Sequence, residues 1–107
     1  MEIKDFQKRS VRTVNTSLSK RDQLANMAMG AAGEAGEVVD LIKKHLYQGH
    51  NLDIEKLVEE MGDTIFYLSN LATVIGIDMR EVLNYNYEKL LERFPNGFEV
   101  DKSVNRE

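Results

Sequence analysis

Leu24 to Leu46 reads LANMAMGAAGEAGEVVDLIKKHL, and this stretch decides the fold. Leu24, Met27, Ala28, Ala31, Ala35, Val38 and Ile42 recur at helical period, so the segment is read as a helix with one apolar face. Asp22 is the expected N-cap, and Gly49 stops the helix after Gln48. At 1.5 Å per residue such a helix is roughly 40 Å long. Gly30, Gly33 and Gly36 mark either a close helix contact or a kink. One charge, Glu34, falls inside the apolar stripe, and Glu37 follows at its edge. Residues three apart on a helix project from neighbouring positions, so the two carboxylates aim at one point.

Outward from this segment the chain stays helical. A weak first helix runs from Met1 to about Val14, with Ile3 and Phe6 on its apolar side, and residues 13–19 form a polar loop. Asp53 caps a third helix that ends near Ile75-Gly76, with the core stripe Ile54, Leu57, Met61, Ile65, Leu68, Ala72 and Ile75. Asp78 caps a fourth, with core positions Leu83, Tyr87, Leu90, Leu91 and Phe94, and Pro95-Asn96-Gly97 ends it. The expected fold is all-α, an antiparallel four-helix bundle over residues 1–100 with a polar, frayed tail at 101–107. The second half of the third helix is apolar almost all round, which predicts a homo-oligomer with that helix at the interface.

The third helix carries a second acidic pair, Glu60 and Asp63. Glu60 lies at the edge of the core stripe while Glu59 points to solvent, which selects Glu60 from the doublet. A lone Glu-x-x-Glu on a helix is ordinarily a solvated face. Here one member sits among apolar residues, small residues (Ala35, Gly36, Gly62) surround both pairs, and the helices are expected to be neighbours. Two like charges 4 Å apart repel by about 4 kcal/mol at an effective dielectric of 20. Four carboxylates together therefore need a cation, either lysines such as Lys43 and Lys44 or a metal, and an all-oxygen site suits Mg²⁺ or Mn²⁺. On the fourth helix Asn86, Lys89 and Arg93 form a polar, cationic stripe suited to a small anion.

Composition narrows the classes further. The net charge is −4, with no basic excess to offset a nucleic-acid backbone. No cysteine is present for a disulfide, a thiolate metal site or nucleophilic catalysis. Neither His45 nor His50 has a Glu three residues before it, as a di-iron bundle requires. No apolar run resembles a signal peptide or reaches the roughly 18 residues of a membrane span, so a cytoplasmic protein without membrane partners is expected.

Taken together, Gly33-Glu34-Ala35-Gly36-Glu37, a gap of 22 residues and Glu60-Met61-Gly62-Asp63 resemble the all-α nucleotide pyrophosphohydrolases of the MazG type. The similarity continues through Asn86-Tyr87-Glu88-Lys89 and Arg93-Phe94-Pro95-Asn96-Gly97-Phe98. The resemblance implies Mg²⁺-dependent hydrolysis of a nucleoside triphosphate to the monophosphate and pyrophosphate. It implies Glu34, Glu37, Glu60 and Asp63 as catalytic metal ligands, and Lys44, Asn86, Lys89 and Arg93 as candidates for the phosphate chain. It also implies a homodimer or homotetramer. Phe66 stands where many members have Trp, which leaves base preference open; Phe6, Gln7, Arg12 and Tyr67 are candidates for the nucleoside pocket. Two other readings compete: a non-catalytic helical interaction module, and a related all-α hydrolase of a nucleoside diphosphate or phosphoribosyl nucleotide.

Overall fold

The computed structural model describes residues 1–105. Its elements are α1 (Ile3–Ser10), a 3-10 turn (Val11–Thr13), α2 (Lys20–Tyr47), α3 (Ile54–Val74), α4 (Met79–Arg93) and α5 (Val100–Val104). No β-strand occurs among the described residues. None of the helices is long and apolar enough to cross a membrane.

Local chemistry explains the helix ends. The side chain of Ser19, not Asp22, caps α2 by accepting from the Asp22 N–H at 3.1 Å. Asp22 instead places its negative charge in the first turn, where the helix dipole favours it. Asp53 and Asp78 cap α3 and α4 as the sequence predicts, accepting from the N–H groups of Lys56 and Arg80. Gly76, at φ 77°, turns the chain left-handed after α3, so that the Ile77 N–H reaches back to the Ala72 carbonyl at 2.8 Å. Residues 100–104 extend the helical content into the segment predicted to fray; residues 106–107 of that tail lie outside the described residues.

Helices α2 and α3 pack along their length as an antiparallel hairpin: Glu34 meets Glu60 and Asp63, and further back on α2 Gly30 meets Tyr67. A Cβ on Gly30 would overlap the Tyr67 ring, coming within 2.6 Å of its Cζ. Gly30 is thus the close contact anticipated from the glycine spacing. Gly33 and Gly36 face open space, and α2 runs unbroken through all three.

The remaining helices do not complete a bundle around this hairpin. α1 lies on α3, and α4 packs chiefly on α1. One side chain makes that joint. Gln7 donates to the Ile77 carbonyl (2.9 Å) and Thr73 Oγ1 (3.2 Å), and its Oε1 accepts the Met79 N–H (2.8 Å) at the start of α4. Gln7 is therefore a structural clip and not a free nucleoside ligand. The open arrangement gives a radius of gyration of 16.9 Å, against about 13 Å for a closed domain of this length.

Burial departs from the predicted stripes accordingly. Met27, at 2% exposure, and Ala72 are buried as expected. Of the other α3 positions assigned to the core, Ile54, Met61, Ile65, Leu68 and Ile75 are exposed, as are Leu83, Tyr87, Leu90 and Leu91 on α4. Periodicity identified apolar stripes correctly, but these stripes are turned away from the rest of their own chain. What α3 buries instead is largely polar: Glu60, Ser69 and Asn70.

Candidate functional site

The two acidic pairs meet at the α2–α3 seam. Glu34, Glu60 and Asp63 each offer a carboxylate oxygen within 4.8 Å of the others. Glu60 is the deepest, at 6% exposure, and Glu34 is half-buried. The helical spacing puts Glu60 and Asp63 on neighbouring positions of α3, and the antiparallel register carries Glu34 across to them. Glu37, one turn further along α2, is exposed and stays outside this group of three.

Electrostatics register the crowding. Glu34 has its pKa pushed up to about 7, first through a hydrogen bond shared with Glu60, then by partial desolvation and the charges of Glu60, Asp63 and Glu37. Glu60 moves the other way, held below the usual carboxylate range by the Glu34 hydrogen bond and by Lys56. Lys56, which the sequence reading overlooked, sits one turn before Glu60 with Nζ 3.3 Å from Oε1, and it also contacts Glu59 at 3.2 Å. Its signal was present in the sequence as a Lys four residues before the buried acid.

The lysines nominated as neutralisers are engaged elsewhere. Asp40 takes Lys43 at 3.5 Å and Lys44 at 2.9 Å, and Lys44 holds the Asp40 carboxyl below its ordinary range. Glu37 adds to the field that raises the Lys44 pKa, after Asp40 itself. Asn86 and Lys89 are exposed on α4, and Arg93 is half-buried near its end. Lys89 and Arg93 border an open groove with Lys102 of α5. α4 packs on α1 and not along the α2–α3 seam, so within one chain this stripe is not packed against the carboxylates. Of the nucleoside-pocket candidates, Tyr67 is occupied by Gly30 and by an edge-on contact with Phe66, ring centroids 5.3 Å apart. Phe6 borders Gly62 and Ile65 on the α1 side of α3, and Arg12 is exposed.

The donor set fits a small divalent cation. Octahedral oxygen ligands at about 2.1 Å stand about 3 Å apart when adjacent and about 4.2 Å apart when opposite. Three oxygens already within 4.8 Å of one another close to that geometry by rotamer-scale movement. The upward shift of Glu34 is what such crowding produces when no cation balances it.

Comparisons with known proteins place this site in a family. A family model of the MazG nucleotide pyrophosphohydrolase domain matches residues 22–98, the span that holds all four carboxylates and Asn86, Lys89 and Arg93. The chain is similar to the Gene 37 protein of Mycobacterium phage L5, 30% identical over an 87-residue alignment that covers 78% of this chain and 76% of the phage protein. No solved structure matches. With the family model covering most of the chain and an acidic cluster able to hold a metal at its centre, this protein belongs to the MazG nucleotide pyrophosphohydrolases, hydrolases acting on phosphoric anhydrides.

Proposed function

We propose that the chain converts a ribo- or deoxyribonucleoside triphosphate to its monophosphate and pyrophosphate, with Mg²⁺, or Mn²⁺ in its place, held by Glu34, Glu60 and Asp63. The observation that carries this is the convergence of three carboxylate oxygens within 4.8 Å on two helices of the matched domain. Glu37 joins the set by a rotamer change, since it already acts on Glu34 through its charge. When bound, the cation neutralises charge on the phosphate chain as the transition state develops.

The chain's own groups do the rest. Water attacks the α-phosphorus, the bridging oxygen to the β-phosphorus leaves with pyrophosphate, and a carboxylate takes the water's proton. Glu34, half-buried at the seam beside Glu60 and Asp63, is the candidate general base. Lys56 keeps Glu60 ionised and oriented. Lys44, on the α2 turns after Glu37, is placed for the phosphate chain if Asp40 releases it.

Asn86, Lys89 and Arg93 would reach the carboxylates from a second copy, and the exposed surface supports that arrangement. Ile54, Val58, Met61, Ile65, Leu68 and Ile75 are all exposed on α3. Their spacings of four, three, four, three and seven residues are those of a helix seated against another helix. A homodimer or homotetramer that covers this stripe would bring a neighbour's α4 to the seam. The decisive assay is a panel of ribo- and deoxyribonucleoside triphosphates with Mg²⁺, scoring pyrophosphate against phosphate. Phosphate as the product, or no Mg²⁺ dependence, rejects the reading.

A further inference from the structure

Seven residues beyond Asp63 on α3, the helix buries a polar side chain whose needs are not met. Asn70 is 1% exposed. Its Nδ2 donates to the Phe66 carbonyl at 3.0 Å, and its Oδ1 has no partner. The Phe66 carbonyl fixes which way the amide lies, because a flipped Asn70 would set two oxygens against each other. The group therefore presents an acceptor, at a desolvation cost that an apolar residue would avoid.

Asn70 forms part of the wall of a cavity of about 310 Å³ closed by the segment between α1 and α2. Val14, Thr16, Lys20, Gln23 and Thr73 complete most of that wall. Gln23 and Thr73 already have hydrogen-bond partners of their own: Gln23 donates to the Leu18 carbonyl at 2.8 Å, and Thr73 to the Ser69 carbonyl at 3.2 Å. The cover is a short 3-10 turn, Val11–Thr13, and the loop that follows it.

Position links this cavity to the carboxylates. Seven residues are two helical turns, so Asn70 stands on nearly the same side of α3 as Asp63, about 10 Å away along the axis. Gln23 lies eleven residues before Glu34, again close to the same side of α2, about 16 Å along. A nucleotide whose phosphates lie at the carboxylates extends its base over a distance of that order.

Resting on the reaction proposed above, we propose that this cavity receives the nucleobase of the substrate, with Asn70 Oδ1 accepting a base N–H: an exocyclic amino group or a ring imide. Asn70 is then a binding residue retained at the expense of stability.

The test uses the full chain, the variant Asn70→Leu, nucleoside triphosphates and inorganic tripolyphosphate. Tripolyphosphate reads the carboxylate site without a base. The expected result is a KM raised roughly tenfold or more, kcat changed less than about threefold, Mg²⁺-dependent tripolyphosphate affinity unchanged, and a Tm equal to or above that of the parent. An unchanged KM overturns the inference and leaves the reaction standing. Loss of tripolyphosphate affinity also overturns it, because Asn70 would then be shaping the metal seam. Should Asn70→Leu lower the Tm, Val14→Phe decides, since it fills the cavity from the loop: a raised KM supports the base site and an unchanged one removes it. If the parent protein releases no pyrophosphate, the proposed reaction fails by itself. Nucleoside binding to the parent but not to Asn70→Leu, followed by NMR, then still supports the pocket, and its absence ends the idea.

Discussion

The residues α3 buries and the residues it exposes reverse the usual assignment. Inside lie Glu60, Ser69 and Asn70; outside runs the apolar series Ile54, Val58, Met61, Ile65, Leu68 and Ile75. A stable monomer does the opposite, hiding apolar surface and leaving charge in water. The contrast teaches that the α2–α3 seam is shaped for chemistry and that the stability it gives up has to be regained elsewhere. α4 repeats the outer pattern, with every residue from Arg80 to Glu92 exposed. A helix of 15 residues is marginal in water without packing. A second copy of the chain, as proposed above, would cover both surfaces.

The largest effect that would break this comparison is expected at the seam. Glu60→Gln should lower pyrophosphate release by well over about 100-fold, since even groups that only orient a metal ligand are worth about 10–100-fold. Its fold should survive, because Gln is isosteric and neutral. Near-normal turnover in a steady-state assay would show that the buried acid serves no chemistry. On the outer surface, Leu68→Glu puts a charge into the apolar series and should shift the assembly towards monomer in sedimentation velocity. Unchanged sedimentation would place the interface elsewhere.

Smaller effects sharpen the picture. Gln7→Ala removes three hydrogen bonds that join α1 to the start of α4. It should cost about 1–3 kcal/mol, read as a lower midpoint in urea. A midpoint equal to the parent's would mean that the clip does not hold in solution. Gly30→Ala should cost about 1–3 kcal/mol by forcing the Tyr67 ring aside. Combining it with Tyr67→Leu should recover part of that loss, and simple additivity would show that the two residues are not in contact.

The smallest effect is a pH dependence of the metal-free protein. Glu34 titrates near 7 in the folded chain against 4.5 for a free glutamate. Between those values the folded state keeps a proton that the unfolded state has lost, so this group's contribution to stability falls as pH rises from 4.5 through about 7. Thermal melts in a chelator should show that slope, and Glu34→Gln should flatten it. An identical slope in the variant would assign the effect to another group.

What was legible in the sequence was local. Asp53, Asp78, Gly49 and Pro95-Asn96-Gly97 act on backbone within a few residues of themselves, and each marks an observed helix end. Ser19 was missed as the α2 cap because Asp22 satisfies the same rule three residues later. Glu34, Glu60 and Asp63 were legible because spacing on a helix fixes direction. Glu37 shares that spacing yet stays apart, since the register between α2 and α3, which no local pattern encodes, decides which acid faces which. The same limit hid the Gln7 clip, whose partners lie 66 to 72 residues away. It also hid the orientation of the α3 stripe: period reveals an apolar face, not whether its partner is the same chain or another.

The Gln7 clip has a mechanical consequence. One amide holds both the last turn of α3, through Thr73, and the first turn of α4, through Met79. A push on α4 by a neighbouring subunit would thus be transmitted through a single side chain to the helix that carries Glu60 and Asp63. α1, short and carrying none of the carboxylates, would then be the coupling rod between the proposed contact surface and the seam where phosphates would be cut.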